Sequence, residues 1–326
     1  METKTVLVTG IGGNVGQGIV RTIRATGFPV RVVGCNVAAF SAGNHLVDAF
    51  HEVPYAEAPA YVARIAAIVE QERIDLVIPS TDYELCELAR HRSEVGCAVA
   101  ASPASTAGIY LDKLATFHHH ARHGIPFART IPPSEYRGQY AECIVKPRTG
   151  RGSRGLHINP ANFSGFSDEE YIVQELQRGE EITTAFYVNR QQQLHGFITL
   201  VRSLENGTTS SCRVVTHADA AVREILDKML IAGEFNGSAN LQSIVQTDGE
   251  VVPFEVNCRI SGTNSIRANF GFTDVRYTLQ EYLYGQMPDA PHIRPGVAVR
   301  VLLDVIYPDQ TSFDNLADNS APHFVF

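Results

Sequence analysis

The sequence predicts an α/β and α+β chain: an N-terminal Rossmann-like domain with a parallel sheet, followed by a two-lobed body with largely antiparallel sheets. Three observations carry this reading. Up to about residue 105, short apolar runs alternate with segments of helical periodicity, the pattern of a doubly wound parallel sheet. Beyond it, stretches near 194–201 and 212–216 alternate apolar and polar residues, as antiparallel strands with one covered face do. The length of 326 residues suits two domains, or one compact body with lobes.

The elements follow in order. Thr5-Val6-Leu7-Val8-Thr9 is a buried-type strand; it runs into Gly10-Ile11-Gly12-Gly13-Asn14-Val15-Gly16 and an amphipathic helix over Ile19 to Thr26. Val30-Arg31-Val32-Val33-Gly34 is a second strand. Tyr61 to Glu72 is a helix with Val62, Ile65, Ala66 and Val69 on one face, Leu76-Val77-Ile78 a strand, and Asp82 to His91 a helix. A helix led by Asp112-Lys113 ends at Gly124-Ile125-Pro126. Strands are expected around Ile144, Ile172 and Ile182–Val188, and a helix from Ala218 to Glu234. Asn240–Val245 and Glu250–Glu255 form a hairpin turning at Thr247-Asp248-Gly249, and Thr278 to Tyr284 is a further helix.

Composition narrows the function. Hydrophobic residues are 44% and charged residues 19%, ordinary for a soluble globular protein, and the net charge of −8 argues against a nucleic-acid partner. No apolar run reaches membrane-spanning length and no signal peptide precedes the first strand. The six cysteines contain no C-x-x-C pair and read as reduced core thiols. Together these point to a cytoplasmic protein. Lysine occurs only at positions 4, 113, 146 and 228.

Two glycine-rich turns compete for a nucleotide. The first, Gly10, Gly13 and Gly16, sits between strand and helix as in dinucleotide-binding domains. The second strand, however, ends in Gly34-Cys35-Asn36 where a ribose-binding carboxylate is expected, and no Tyr-x-x-x-Lys dyad occurs. A tight turn lining a substrate pocket is the other reading of this loop. The second turn follows Lys146 at a strand end: Pro147, Arg148, Thr149, Gly150, Arg151, Gly152, Ser153, Arg154 and Gly155 form a basic flap whose N–H groups could close over polyphosphate. An exposed basic hairpin would look the same. Glu175 and Leu176 lie at a strand end whose backbone could read an adenine edge, and a carboxylate of Gly179-Glu180-Glu181 could hold ribose hydroxyls. An ordinary acidic turn is the alternative there.

Glu255 and Asn257 are two residues apart and so share a strand face, with Gln242 on the neighbouring strand able to point to the same spot. These oxygen donors suit magnesium, and Arg259 is in phase with them to neutralise a transferring phosphoryl group. A polar, solvent-facing strand side would explain the same pair. Ser261 to Arg267 is a candidate substrate wall with Arg267 as a carboxylate clamp, or else a helix-capping loop. His118, His119, His120 and His123 read as a solvated helix face, since only His119 and His123 are four apart.

These pieces, in this order, resemble the ATP-grasp superfamily, with the nearest likeness to the modules of carbamoyl phosphate synthetase large subunits and to the ligase of pyrrolysine biosynthesis. The resemblance runs from Thr5 to about Gly271 through Ser80-Thr81-Asp82-Tyr83-Glu84, Asp112-Lys113, the Lys146 loop, Gln174-Glu175, Gly179-Glu180-Glu181, Asn240-Leu241-Gln242 and Glu255-Val256-Asn257-Cys258-Arg259. Cys258 departs from it, standing where related sequences often have proline. The resemblance implies a pre-ATP-grasp domain over residues 1–107, a small lobe with the flap over 108–178, and a C-terminal lobe with the metal site over 179–326. It implies ATP with magnesium or manganese. Lys113, Lys146, Gly150, Gly152, Ser153, Gly155, Glu175, Leu176 and Glu181 would hold the nucleotide; Gln242, Glu255 and Asn257 would be metal ligands and Arg259 the reaction-centre arginine. The implied activity is a carboxylate–amine ligase working through an acyl phosphate, with small-molecule substrates and room for a homodimer. An NAD(P)-dependent oxidoreductase or epimerase built on the first glycine loop, and a non-catalytic nucleotide-binding protein, are the rival readings.

Overall fold

The computed structural model describes residues 2–150, 155–314, 316 and 321–326. β1 (Lys4–Val8), β2 (Val30–Asn36), β3 (Ala49–Glu52), β4 (Leu76–Ile78) and β5 (Ala98–Val99) form a parallel sheet in the order β3-β2-β1-β4-β5. Central β1 is covered on both faces, so Val6, Leu7 and Val8 are all enclosed and read as an unbroken apolar run. The sheet is connected by α1 (Asn14–Ala25), α2 (Tyr61–Glu72), α3 (Asp82–Arg90) and α4 (Arg92–Val95). Strands β3 and β5 were not expected: Ala49-Phe50-His51-Glu52 lacks β-branched residues and β5 has only two residues.

After α5 (Ala104–Leu111), Asp112 caps α6 (Lys113–Arg122) by accepting from Leu114 N at 2.9 Å and Ala115 N at 3.2 Å. A small antiparallel sheet follows: β6 (Thr130–Ile131), β7 (Cys143–Pro147), β8 (His157–Ile158) and β9 (Tyr171–Glu175), in the order β6-β9-β7-β8. The larger sheet holds β10 (Glu180–Val188), β11 (Leu194–Glu205), β12 (Thr208–Val215), β13 (Gly237–Val245), β14 (Val251–Asn257) and β15 (Val297–Val299), in the order β14-β13-β10-β11-β12-β15. Every pairing in it is antiparallel. α7 (Asp219–Ala232) buries Val222, Ile225, Leu226 and Met229 in the same core as Ile182 and Phe186 of β10. α8 (Asn264–Arg267) and α9 (Asp274–Leu283) follow, and β16 (Val305–Ile306) pairs with β17 (Phe324–Val325) in the tail.

The two sheet systems are locked through α1. Ile19, Val20 and Ile23 share a core with Ile260, Val275 and Leu279. Gly18 has no side chain where one would stand 2.7 Å from Asn264 Oδ1, so the helix can approach; Asn264 Nδ2 then donates to Val15 O at 3.3 Å. The first glycine loop is thereby fixed beside the chain that leaves β14. Among the described residues no helix is long and apolar enough to cross a membrane.

Candidate active site

A cleft of about 640 Å³ runs between the parallel sheet domain and the two antiparallel sheets. Lys113, Lys146, Gly150, Glu175, Leu176, Glu181, Gln242, Glu255, Asn257 and Arg259 all line it. The convergence of Lys146 with the three oxygen donors depends on register. On β13 and β14, Asn240 pairs with Asn257 and Gln242 with Glu255, but Ser243 pairs with Pro253. Phe254 is therefore the extra residue of a β-bulge, and bulges re-aim backbone and side chains. Its freed carbonyl accepts from Lys146 Nζ at 3.3 Å, and its ring lies 5.3 Å from that ammonium.

The donors form a chain: Gln242 Nε2 donates to Asn257 Oδ1 at 3.3 Å, and Asn257 Nδ2 donates to Glu255 Oε1 at 3.1 Å. Burial works to raise the Glu255 carboxyl, but Lys113 and Lys146, then the Asn257 amide and Arg259, hold it below its ordinary value. Lys146 is only 5% exposed; burial first, and the like charge of Lys113, lower its ammonium to about 7 against the opposing pull of Glu255. One carboxylate and two amide oxygens are hard donors of low total charge, which fits a magnesium ion that takes its remaining ligands from phosphate and water.

Several expected residues behave differently. Arg267 is completely enclosed: Nε donates to Asp274 Oδ1 at 3.2 Å, and Nη1 donates to Ser261 Oγ at 2.7 Å and Thr263 Oγ1 at 2.8 Å. It is no substrate clamp, because its donors are consumed in fixing the loop after β14. Arg267→Lys keeps the charge but not the fork, and is expected to cost about 2 kcal/mol of stability while leaving MgADP affinity unchanged. A thermal melt at wild-type Tm combined with lost turnover would return this arginine to the cleft. Arg148 faces Asp112 (3.2 Å) and Asp168 O (2.8 Å) rather than phosphate. Leu176 donates its N–H to Glu142 O at 3.0 Å, and the Glu175 carboxylate holds Arg129 Nε at 2.9 Å, so neither of these groups is open to adenine. Gly155 is exposed and does not line the cleft. Gly152 and Ser153, with Arg151 and Arg154, lie outside the described residues. His120 is fully buried, donating through Nδ1 to Pro126 O at 3.2 Å, so the histidine run is only partly a solvated face.

The roles of two residues escaped the sequence reading. Arg202 donates to both Glu181 Oε1 (3.2 Å) and Gln242 Oε1 (2.8 Å). It sits one step beyond the Ile182–Val201 pair, a position visible only once the β10–β11 register is known. Asp82 accepts from Nε (3.0 Å) and Nη2 (2.7 Å) of Arg259 through a single oxygen, Oδ2, across 177 positions of chain.

A family model described as the PylC-like N-terminal domain matches residues 6–100. N5-carboxyaminoimidazole synthetase from Staphylococcus aureus, complexed with ADP, superposes with a TM-score of 0.71 at 14% identity, covering 92% of this chain and 82% of that one. N5-carboxyaminoimidazole ribonucleotide synthetase from Thermotoga maritima gives 0.70 at 16% identity, covering 93% and 84%. The chain has an ATP-grasp fold. L-amino acid ligase from Bacillus licheniformis shares this ATP-grasp architecture, with a TM-score of 0.68 at 14% identity over 86% of this chain and 74% of that one. A search of curated protein sequences returns no match.

Proposed function

We propose that the protein is an ATP-dependent carboxylate–amine ligase that forms an amide through an acyl phosphate. The observation that carries this reading is the shared cleft: the Lys113 and Lys146 ammonium groups face the Glu255, Asn257 and Gln242 oxygens across a space able to hold a nucleotide triphosphate. A substrate carboxylate oxygen attacks the γ-phosphorus, the bond to the β-phosphate oxygen breaks, and ADP leaves. An amine nitrogen then attacks the acyl carbon, the carbon–oxygen bond to phosphate breaks, and the nitrogen gives up its proton. Lys113 and Lys146 hold the phosphates, and Arg259, fixed by Asp82, meets negative charge developing on the transferred group. Glu255, Asn257 and Gln242 would hold a magnesium ion, which would supply charge neutralisation on the phosphate oxygens. The chemistry is that of one carbamoyl phosphate synthetase-like module, making one acyl phosphate per turnover.

The dinucleotide reading has less support. β2 ends in Gly34-Cys35-Asn36, none of them an acid, and the Asn36 side-chain nitrogen would lie 2.4 Å from a Cβ on Gly12. The glycine loop borders the cleft that holds the lysines. Saturating MgATP or MgADP is expected to raise Tm by about 5 °C, with no shift from NAD or NADP. Stabilisation by dinucleotide alone would reverse the ranking, and ADP release that no carboxylate–amine pair stimulates would favour a non-catalytic binder.

A further inference from the structure

The hydrogen bonds at the metal face run in one direction. Arg202 Nη2 donates to Gln242 Oε1 at 2.8 Å, Gln242 Nε2 donates to Asn257 Oδ1 at 3.3 Å, and Asn257 Nδ2 donates to Glu255 Oε1 at 3.1 Å. The two ends of this relay fix everything between them. A guanidinium has donors only and an ionised carboxylate has acceptors only, so neither amide can turn over without setting like against like. Gln242 therefore keeps its oxygen on Arg202 and turns its amino group toward Asn257 and Glu255. Each of the three groups expected to face magnesium already has an oxygen accepting a hydrogen bond, and Gln242 presents a donor where a cation needs an oxygen.

This pose leaves Arg202 incompletely paired. The same Nη2 nitrogen also serves Glu181 Oε1 at 3.2 Å, while Nε is enclosed and has no acceptor among the described residues. The side chain is 15% exposed and borders the cleft. A buried donor without an acceptor is costly, so the guanidinium gains by moving when new acceptors arrive. Phosphate oxygens of a nucleotide lying against Lys113 and Lys146 in the same cleft would be such acceptors, and a guanidinium takes them in pairs. With Arg202 drawn to phosphate, the Gln242 amide is free to turn, and its oxygen joins those of Asn257 and Glu255.

We infer that Arg202 is a positioning residue that shuts the metal site in the nucleotide-free protein and opens it when polyphosphate draws the guanidinium off Gln242, so that metal is taken up with the nucleotide and not from free solution. The inference rests on the nucleotide reading, and its test separates the two. Manganese is the probe, because electron paramagnetic resonance counts the free ion; it is titrated into the full chain with and without ADP. Without nucleotide, the wild type should bind it with a Kd of about 1 mM or weaker. Arg202→Met should bind it about tenfold more tightly, and ADP should then raise manganese affinity by a factor about tenfold smaller than in the wild type. Loss of a nearby positive charge would also favour a cation, so a cycle with Gln242→Ala decides between charge and amide. In that background the arginine substitution should change the Kd less than about twofold, because no amide oxygen is left to release. Arg202→Ala repeats the measurement should the methionine variant melt below wild type. A Kd unchanged by removal of the arginine, or an equal gain with and without Gln242, overturns the inference. Absence of any Tm shift with ADP instead sinks the nucleotide reading, and the nucleotide-free titration still decides the role of Arg202.

Discussion

Glu255→Gln is expected to lower ATP turnover by about three orders of magnitude, the equivalent of about 4 kcal/mol of lost transition-state stabilisation. Three roles meet in this carboxylate. It is the only acid among the three oxygen donors, it receives the Asn257 amide, and its charge faces Lys113, Lys146 and Arg259. Glutamine keeps the shape and one oxygen but removes the negative charge. The metal would then be held by amide oxygens alone, and the two lysines would lose their neutralising partner. The effect should appear in kcat more than in thermal stability, because Glu255 is partly open to the cleft while the hairpin beneath it is set by Leu241 and Val256, both buried. Turnover is measured as phosphate release, and magnesium affinity by competition with the ion in a nucleotide-binding titration. Turnover within threefold of wild type would remove Glu255 from the site.

The shared face of Glu255, Asn257 and their cross-strand neighbour Gln242 was legible in the sequence, because period two on a strand is reliable and only the hairpin was needed. The bulge at Phe254 was not read from the sequence, although Pro253 beside it is a residue that sheets confine to edges, strand starts and bulges, and it is what brings a backbone carbonyl to Lys146. Sequence reasoning also mistook Arg267 for a ligand-facing group. An arginine beside Ser261 and Thr263 in a loop looks available until Asp274, seven positions on, is folded against it. Asp82 was quoted as part of a motif but its partner lies on another sheet system, and one sequence carries no sign of such a pairing. The parallel sheet was read from β1, β2 and β4, whose covered faces demand apolar runs, whereas its short outer strands carry no such demand.

Lys146→Met is the second large change, acting on binding and on its pH dependence together. The side chain is buried beside Lys113, and its ammonium is lowered to about 7 from an ordinary 10.5. In the nucleotide-free protein, the folded chain therefore binds fewer protons than the unfolded chain between about pH 7 and 10.5. That difference makes the lysine's contribution to stability rise with pH across this window, the reverse of a paired surface lysine. Polyphosphate brings negative charge to the ammonium and favours its protonated form. Nucleotide binding should thus take up close to one proton at about pH 8, and affinity should fall as pH rises above about 7. Methionine fills similar volume without charge, so the variant should melt at or above the wild-type temperature, bind MgATP about a hundredfold more weakly, and show neither the proton uptake nor the slope. Titration calorimetry in buffers of different ionisation enthalpy reads the uptake directly. Equal uptake by both proteins would assign the proton to another group, and its absence from the wild type would mean that Lys146 is already charged before the nucleotide arrives.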